Sequence, residues 1–160
     1  MPLDSSRFVA TVDLARVRAA LSDWSWLLRE GAWDPILVSA AGDVFLVRDF
    51  GEVFRLDTGG GELKRIADSR AEFEAALEDP ELVKDWLLTP VVEELFESGR
   101  VLVHGQCFGF SILPVFEEGS YGAANRFPLS AVEHVGLTGN LHGQLQSVAD
   151  GQKIRLSVVE

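Results

Sequence analysis

One cysteine, one methionine, one tyrosine and three histidines are all that 160 residues contain of several side chains often recruited for redox, thiolate or imidazole chemistry. A lone cysteine cannot close an internal disulfide, and it leaves no spacing for a thiolate zinc site. Basic residues are also scarce: 14 Lys and Arg stand against 25 Asp and Glu, for a formal charge of −11. That balance disfavours nucleic acid and anionic membrane as direct partners, because both need cations to neutralise phosphate. No window approaches the roughly 18 to 20 uninterrupted apolar residues of a membrane helix, and no basic region followed by an apolar run opens the chain. These absences lead to the expectation of a cytoplasmic protein that needs no cofactor. At 47% hydrophobic, residues 1–160 fit one domain that buries roughly two-thirds of its unfolded surface, with no second core and with residues 1–10 loose.

What is abundant is acid, and it is unevenly placed. Between Asp68 and Gly99 there are ten carboxylates and only two cations, Arg70 and Lys84, a net of −8. Glu72, Glu74, Glu78, Glu81, Asp85, Glu93, Glu94 and Glu97 are the candidate partner-binding face. Such a face either keeps a helical surface solvated or steers a cationic protein toward it.

From Thr11, the residues Leu14, Val17, Leu21, Trp24 and Leu28 recur every three or four positions, which predicts an amphipathic helix. Thr11 or Asp13 can cap it, Gly31 can end it, and Trp24, Trp26 and Trp33 thicken its face. Asp34-Pro35 leads into four short β-rich runs, residues 36–40, 43–48, 52–57 and 62–67, separated by glycine turns. They predict an antiparallel meander with one wet face. Gly59-Gly60-Gly61 is not a phosphate loop, because no Lys-Ser or Lys-Thr opening a helix follows it. Ser69-Arg70-Ala71-Glu72 has the form of a capping box opening a helix over about 70–78, and Asp79-Pro80 starts a second. Thr89-Pro90 has the same grammar and starts a third, which Gly99 closes. The expected fold is α+β: an antiparallel sheet with an N-terminal amphipathic helix and a central set of short acidic helices packed on it.

The final third holds all three histidines, the cysteine and the tyrosine. Residues 101–103 and 106–116 read as strands, with Pro114 marking an edge or an end. Residues 117–125 read as a polar loop. From Leu129 the period is unclear, and Gly136, Gly139 and Gly143 each weaken a helix by about 1 kcal/mol. The expectation is a strand to about 135 and a helix from Thr138 or Gly139. Residues 153–159 read as a last strand.

Three chemistries are conceivable in this stretch. A Cys107 nucleophile needs exposure and a nearby base, but three residues along one strand put His104 on the opposite face. A metal site needs His104, His134 and His142 to converge, perhaps with Glu133. Two positions eight apart on one helix lie about 12 Å apart along its axis. Glu133-His134 as an acid-base pair fails on a strand, where neighbours point apart. An enzyme using His104, Glu133, His134 or His142 to bind or hydrolyse a small molecule is the alternative function.

The runs G-Q-C-F-G-F-S-I-L-P, G-S-Y-G-A-A-N and V-E-H-V-G-L-T-G-N-L-H-G-Q-L resemble the C-terminal domain family of type VI secretion immunity proteins. The matching positions are Phe108, Phe110, Pro114, Gly119, Tyr121, Asn125, Glu133, His134, Gly139, His142 and Gln144. A likeness of residues 42–63 to the family's strand pair extends the resemblance to about 40–156. Members of that family are sometimes joined to a GAD-related domain, for which too few residues precede position 40. The resemblance implies a protein without chemistry of its own that binds and neutralises a cognate toxin, such as a nuclease. Under it, Phe108, Phe110, Tyr121, Asn125, Glu133, His134, His142 and Gln144 are the motif's structural or binding residues.

Overall fold

A computed structural model describes residues 5–49, 51–149 and 151–152. The strand expected at 153–159 lies outside the described residues. Four strands, β1 (Trp33–Val38), β2 (Val44–Arg48), β3 (Glu52–Asp57) and β4 (Glu62–Ala67), form an antiparallel meander in chain order. The glycine turns sit where the sequence puts them. The β1 pairing slips between Pro35 and Leu37, the irregularity expected where a residue without an N–H enters a ladder.

The sheet is not wet on one face. Val44 and Leu46 of β2 point to one apolar cluster and Phe45 to the other, all three fully buried. Helices α2 (Arg70–Ala76), α3 (Pro80–Leu87) and α4 (Thr89–Glu97) cover the Phe45 side with Phe73, Val83, Trp86, Leu87, Val92 and Leu95. The opposite side is covered by α1 (Leu14–Ala20), the 3₁₀ turn Leu21–Trp24 and α5 (Ala131–Leu145). The apolar interior is therefore two clusters separated by the sheet, where one core was expected.

Most helix starts follow the local chemistry. Asp13 accepts from the Ala15 amide, Ser69 from the Glu72 amide and Asp79 from the Glu81 amide. The α4 start differs: Thr89 is already helical, and Leu88, with φ of 50° and ψ of 45°, takes the cap position without a side-chain bond. The N-terminal helix also stops short of Gly31, at Ala20 and its 3₁₀ continuation, and Trp33 belongs to β1. Nor are residues 6–10 loose. Phe8 and Ala10 are buried, and their backbones bond to Ala40 and Val38.

The second sheet is a hairpin, β5 (Gln106–Phe110) with β6 (Arg126–Ser130). Residues 101–103 are not a strand; Val101 and Val103 are 68% and 62% exposed. Strand β5 ends at Phe110, because Asn125 then braces the chain: its side chain bonds to both backbone groups of Ile112 and to the Ser120 carbonyl. On the other strand, Pro128 pairs with Phe108 in a register whose neighbours, Ser111 with Asn125 and Gly105 with Ala131, carry the ladder bonds. The missing N–H of Pro128 thus falls on the outer edge. There the Arg126 carbonyl accepts from Arg100.

The largest departure is α5. It begins directly after β6, at Ala131, with Ser130 accepting from the Glu133 amide. Its buried positions are Ala131, His134, Val135, Thr138, Gly139 and His142, a helical period written in small and polar residues. The glycines permit close packing. A Cβ on Gly139 would stand 2.7 Å from Trp24, and one on Gly143 would stand 3.2 Å from Trp26. Those indoles stack with centroids 5.6 Å apart and donate to the Val135 and Gly139 carbonyls.

Candidate functional site

Four parts of the chain meet around Thr58, the first residue of the turn between β3 and β4. One imidazole reaches it from each half of α5: His134 Nε2 lies 2.9 Å from the Thr58 hydroxyl, and His142 Nε2 lies 2.9 Å from the Thr58 carbonyl. A carbonyl oxygen only accepts, so His142 carries its proton on Nε2. The two rings converge in spite of the axial distance between their backbones, and what they converge on is a peptide unit. Both histidines are buried. Burial pushes His134 down to about 4, helped by the Arg126 charge, and burial also lowers His142. Both rings are therefore neutral at pH 7.

The turn itself is built to admit them. A Cβ on Gly61, where φ is 69°, would come within 2.8 Å of the His142 ring, and one on Gly42 within 2.5 Å of His134 Nε2. The Asp57 carboxylate closes the turn through the Gly59 and Gly60 amides and accepts the Tyr121 hydroxyl at 2.9 Å. Tyr121 is thus tied to the turn, and desolvation together with Asp57 raises its pKa. Below Thr58 lies a part-buried ion pair. Asp43 accepts from Arg55 at 2.9 and 3.1 Å and from the Thr58 amide at 3.1 Å. Burial pushes the Asp43 carboxyl up while Arg55 pulls it down. Arg55 also reaches the Asp85 carbonyl, which joins this network to α3.

Arg126 is more deeply buried than Arg55. It bonds to the carbonyls of Ala41, Phe108 and Tyr121, and it lies 4.2 Å from the Phe110 ring centroid. One arginine therefore pins the hairpin, the loop over residues 117–125 and the β1–β2 turn together.

The motif residues read from the sequence fall into two groups. His134, His142, Tyr121, Asn125 and Phe110 surround or brace this junction, and Phe108 is fully buried beside Phe96. Glu133 is exposed, and Gln144 bonds to Asn140 one helical turn away. Glu133 and His134 are neighbours on a helix and not on a strand, and Glu133 is exposed while His134 is buried, so the two do not form an acid-base pair. His104 stands apart from both groups, exposed in a groove beside Asp13 and Arg16. Among the described residues, no three His, Cys, Asp or Glu side chains group as metal ligands. Cys107 is buried and its thiol is pushed up to about 12, so it is protonated at neutral pH and a poor nucleophile.

Sequence reasoning missed Thr58, Asp43, Arg55 and Arg126. Only Arg126 left a signal, as the one Lys or Arg between positions 101 and 149. All eight carboxylates of the candidate acidic face, Glu72 to Glu97, are exposed on or beside α2, α3 and α4. Glu74 pairs with Arg70. No described helix is long and apolar enough to cross a membrane.

Among curated proteins, none matches the chain. Residues 67–142, from the end of β4 to the last turns of α5, match the family described as T6SS immunity protein Tdi1, C-terminal, which supports the resemblance carried by the motifs.

Proposed function

We propose that this is a non-catalytic, cytoplasmic immunity protein that binds and neutralises a cognate bacterial toxin, with a nuclease effector as the best-suited class. The observation that carries the reading is the family match over residues 67–142. The fate of the motif's polar groups supports it. The imidazoles of His134 and His142 meet Thr58 from inside the molecule, where their bonds fix a turn against a helix. The exposed carboxylates of α2 to α4 supply a negative surface, which suits a toxin whose nucleic-acid groove is positive.

The test is protection and binding. Cells expressing the toxin of the neighbouring effector gene survive when this protein is co-expressed. The purified pair associates more slowly as salt rises, and reversing Glu81, Asp85, Glu93 and Glu94 to Lys slows association further. Absence of any complex at low salt sinks the immunity reading. Unchanged association by the charge-reversed protein sinks the role given to the acidic face.

A further inference from the structure

The acidic helical face suits long-range attraction, but carboxylates alone make a weak contact. Affinity in protein interfaces is concentrated in apolar anchors seated in pockets, with charges mainly setting encounter rate and orientation. One apolar groove, of about 260 Å3, lies on the α5 side between the β5–β6 hairpin and the helix. Ile112, Phe127 and Leu137 line it and are 40%, 39% and 36% exposed, while Phe110, Leu129 and Leu141 line it half-buried. Solvent-facing apolar side chains that converge on a concavity mark an interaction site more than scattered ones do.

Charge tells what would fill it. Between positions 101 and 149 the exposed side chains charged at neutral pH are carboxylates, Glu117, Glu118 and Glu133, while the exposed Arg100 just before them is turned to the outer edge of β6, where it donates to the Arg126 carbonyl. Glu117 and Glu118 follow Phe116, which lines the groove. Glu133 precedes Leu137 by four residues, so the two share a face of α5. The stretch's one arginine, Arg126, is buried and spent on three carbonyls. A second copy of this chain would bring the same negative rim against itself. The complementary occupant is a segment with cations around an apolar side chain.

We propose that this groove is where the partner protein is anchored, by a large apolar side chain flanked by Lys or Arg. The proposal rests on the immunity reading for the identity of the partner, but not for the chemistry of the groove. The outer edge of β6 offers little for strand addition, since Pro128 lacks its N–H and the Arg126 carbonyl is taken. Recognition there is by side chains.

Two experiments on the full-length protein test it. In the first, the synthetic peptide Lys-Lys-Trp-Lys-Lys is titrated into 15N-labelled protein. Amide shifts are expected around residues 110–113, 127–129 and 137–141, and are expected to vanish in Leu137→Asp and with the peptide Glu-Glu-Trp-Glu-Glu. Shifts confined to α2–α4, or the same in Leu137→Asp, overturn the proposal. In the second, the effector's toxic domain is the probe. Phe127→Asp and Leu137→Asp, both at exposed positions and checked for parental circular dichroism and melting temperature, are each expected to weaken binding at least tenfold. Parental affinity in both variants overturns the groove and leaves the immunity reading intact. A toxic domain that does not bind even the parent protein overturns the immunity reading, and the peptide then decides the groove alone. Concentration-dependent dimerisation abolished by Leu137→Asp overturns the proposal in favour of a second copy.

Discussion

The two helical layers that cover the sheet are built on opposite plans. Helices α2 to α4 bury large apolar side chains, Phe73, Trp86, Leu87 and Leu95 among them, and turn carboxylates outward. Helix α5 buries two histidines, a threonine, a glycine, an alanine and a single valine, while Leu137 faces solvent. The first layer is held by displaced water, roughly 1.5 to 3 kcal/mol per large apolar side chain. The second depends on close backbone approach to two indoles and on hydrogen bonds that leave little unsatisfied. A layer of the first kind tolerates local change by repacking; one of the second kind is sensitive to single atoms.

The sharpest way to break that contrast is to add volume to α5. Gly139→Leu drives a side chain into Trp24 and the Asp23 carbonyl, 2.7 and 2.8 Å from the Cβ position, and is expected to cost about 3 kcal/mol, read as a fall in the urea midpoint. Acid should act on the same layer. His134 is held down to about 4, below its ordinary unfolded value of about 6.5, so the folded state binds its proton less readily than the unfolded chain does. The associated stability is complete above about pH 6.5 and is lost as pH falls through that value toward 4, by about 3 kcal/mol in all. The lowered His142 adds in the same direction. Urea unfolding at stepped pH should show this loss, and it should shrink in His134→Gln.

Smaller effects sharpen the comparison. Thr58→Val removes the hydroxyl that meets His134 and is expected to cost about 1 to 3 kcal/mol, because it leaves a buried polar group unpaired. In the other layer, Asp79→Ala deletes only a cap and should cost about 1 kcal/mol. Gly136→Ala marks the limit of the argument. Its Cβ would press only on the end of the Asp23 side chain, at 3.1 Å, and would make an ordinary contact with the Ala20 Cβ at 3.9 Å, so the gain in helix propensity, about 0.5 to 1 kcal/mol, should survive. If Gly139→Leu were as harmless as Gly136→Ala, the account of α5 would fail.

The same contrast explains what could be read from the sequence. The meander and the starts of α2 and α3 were legible because their signals are local: β-rich runs between glycine turns, Ser69 with Glu72, and Asp79 with Pro80. The start of α4 at Thr89-Pro90 was legible as well, but its cap was not, because nothing local forecasts a left-handed Leu88. The second half of α5 was legible as helix from Thr138 or Gly139, but its first half reads as strand because its buried period is carried by residues that do not count as apolar, and because glycine's penalty is local while its benefit depends on Trp24 and Trp26, over a hundred positions away. The histidines, Tyr121 and Asn125 could be named from the motifs, but their partners could not. Thr58 has no feature that distinguishes it before the chain folds. The wet face assigned to the sheet failed for a related reason: β2 alternates between two apolar layers, so its two faces look alike in sequence.

The Pro128 edge of the hairpin bears on handling as well as on recognition. Exposed strands with a full row of free amides nucleate fibrils by adding copies end over end. With one amide missing at Pro128 and a neighbouring carbonyl occupied by Arg100, β6 is a poor template for such growth, so the protein can display Ile112, Phe127 and Leu137 at high concentration without being drawn into β-aggregates through that hairpin.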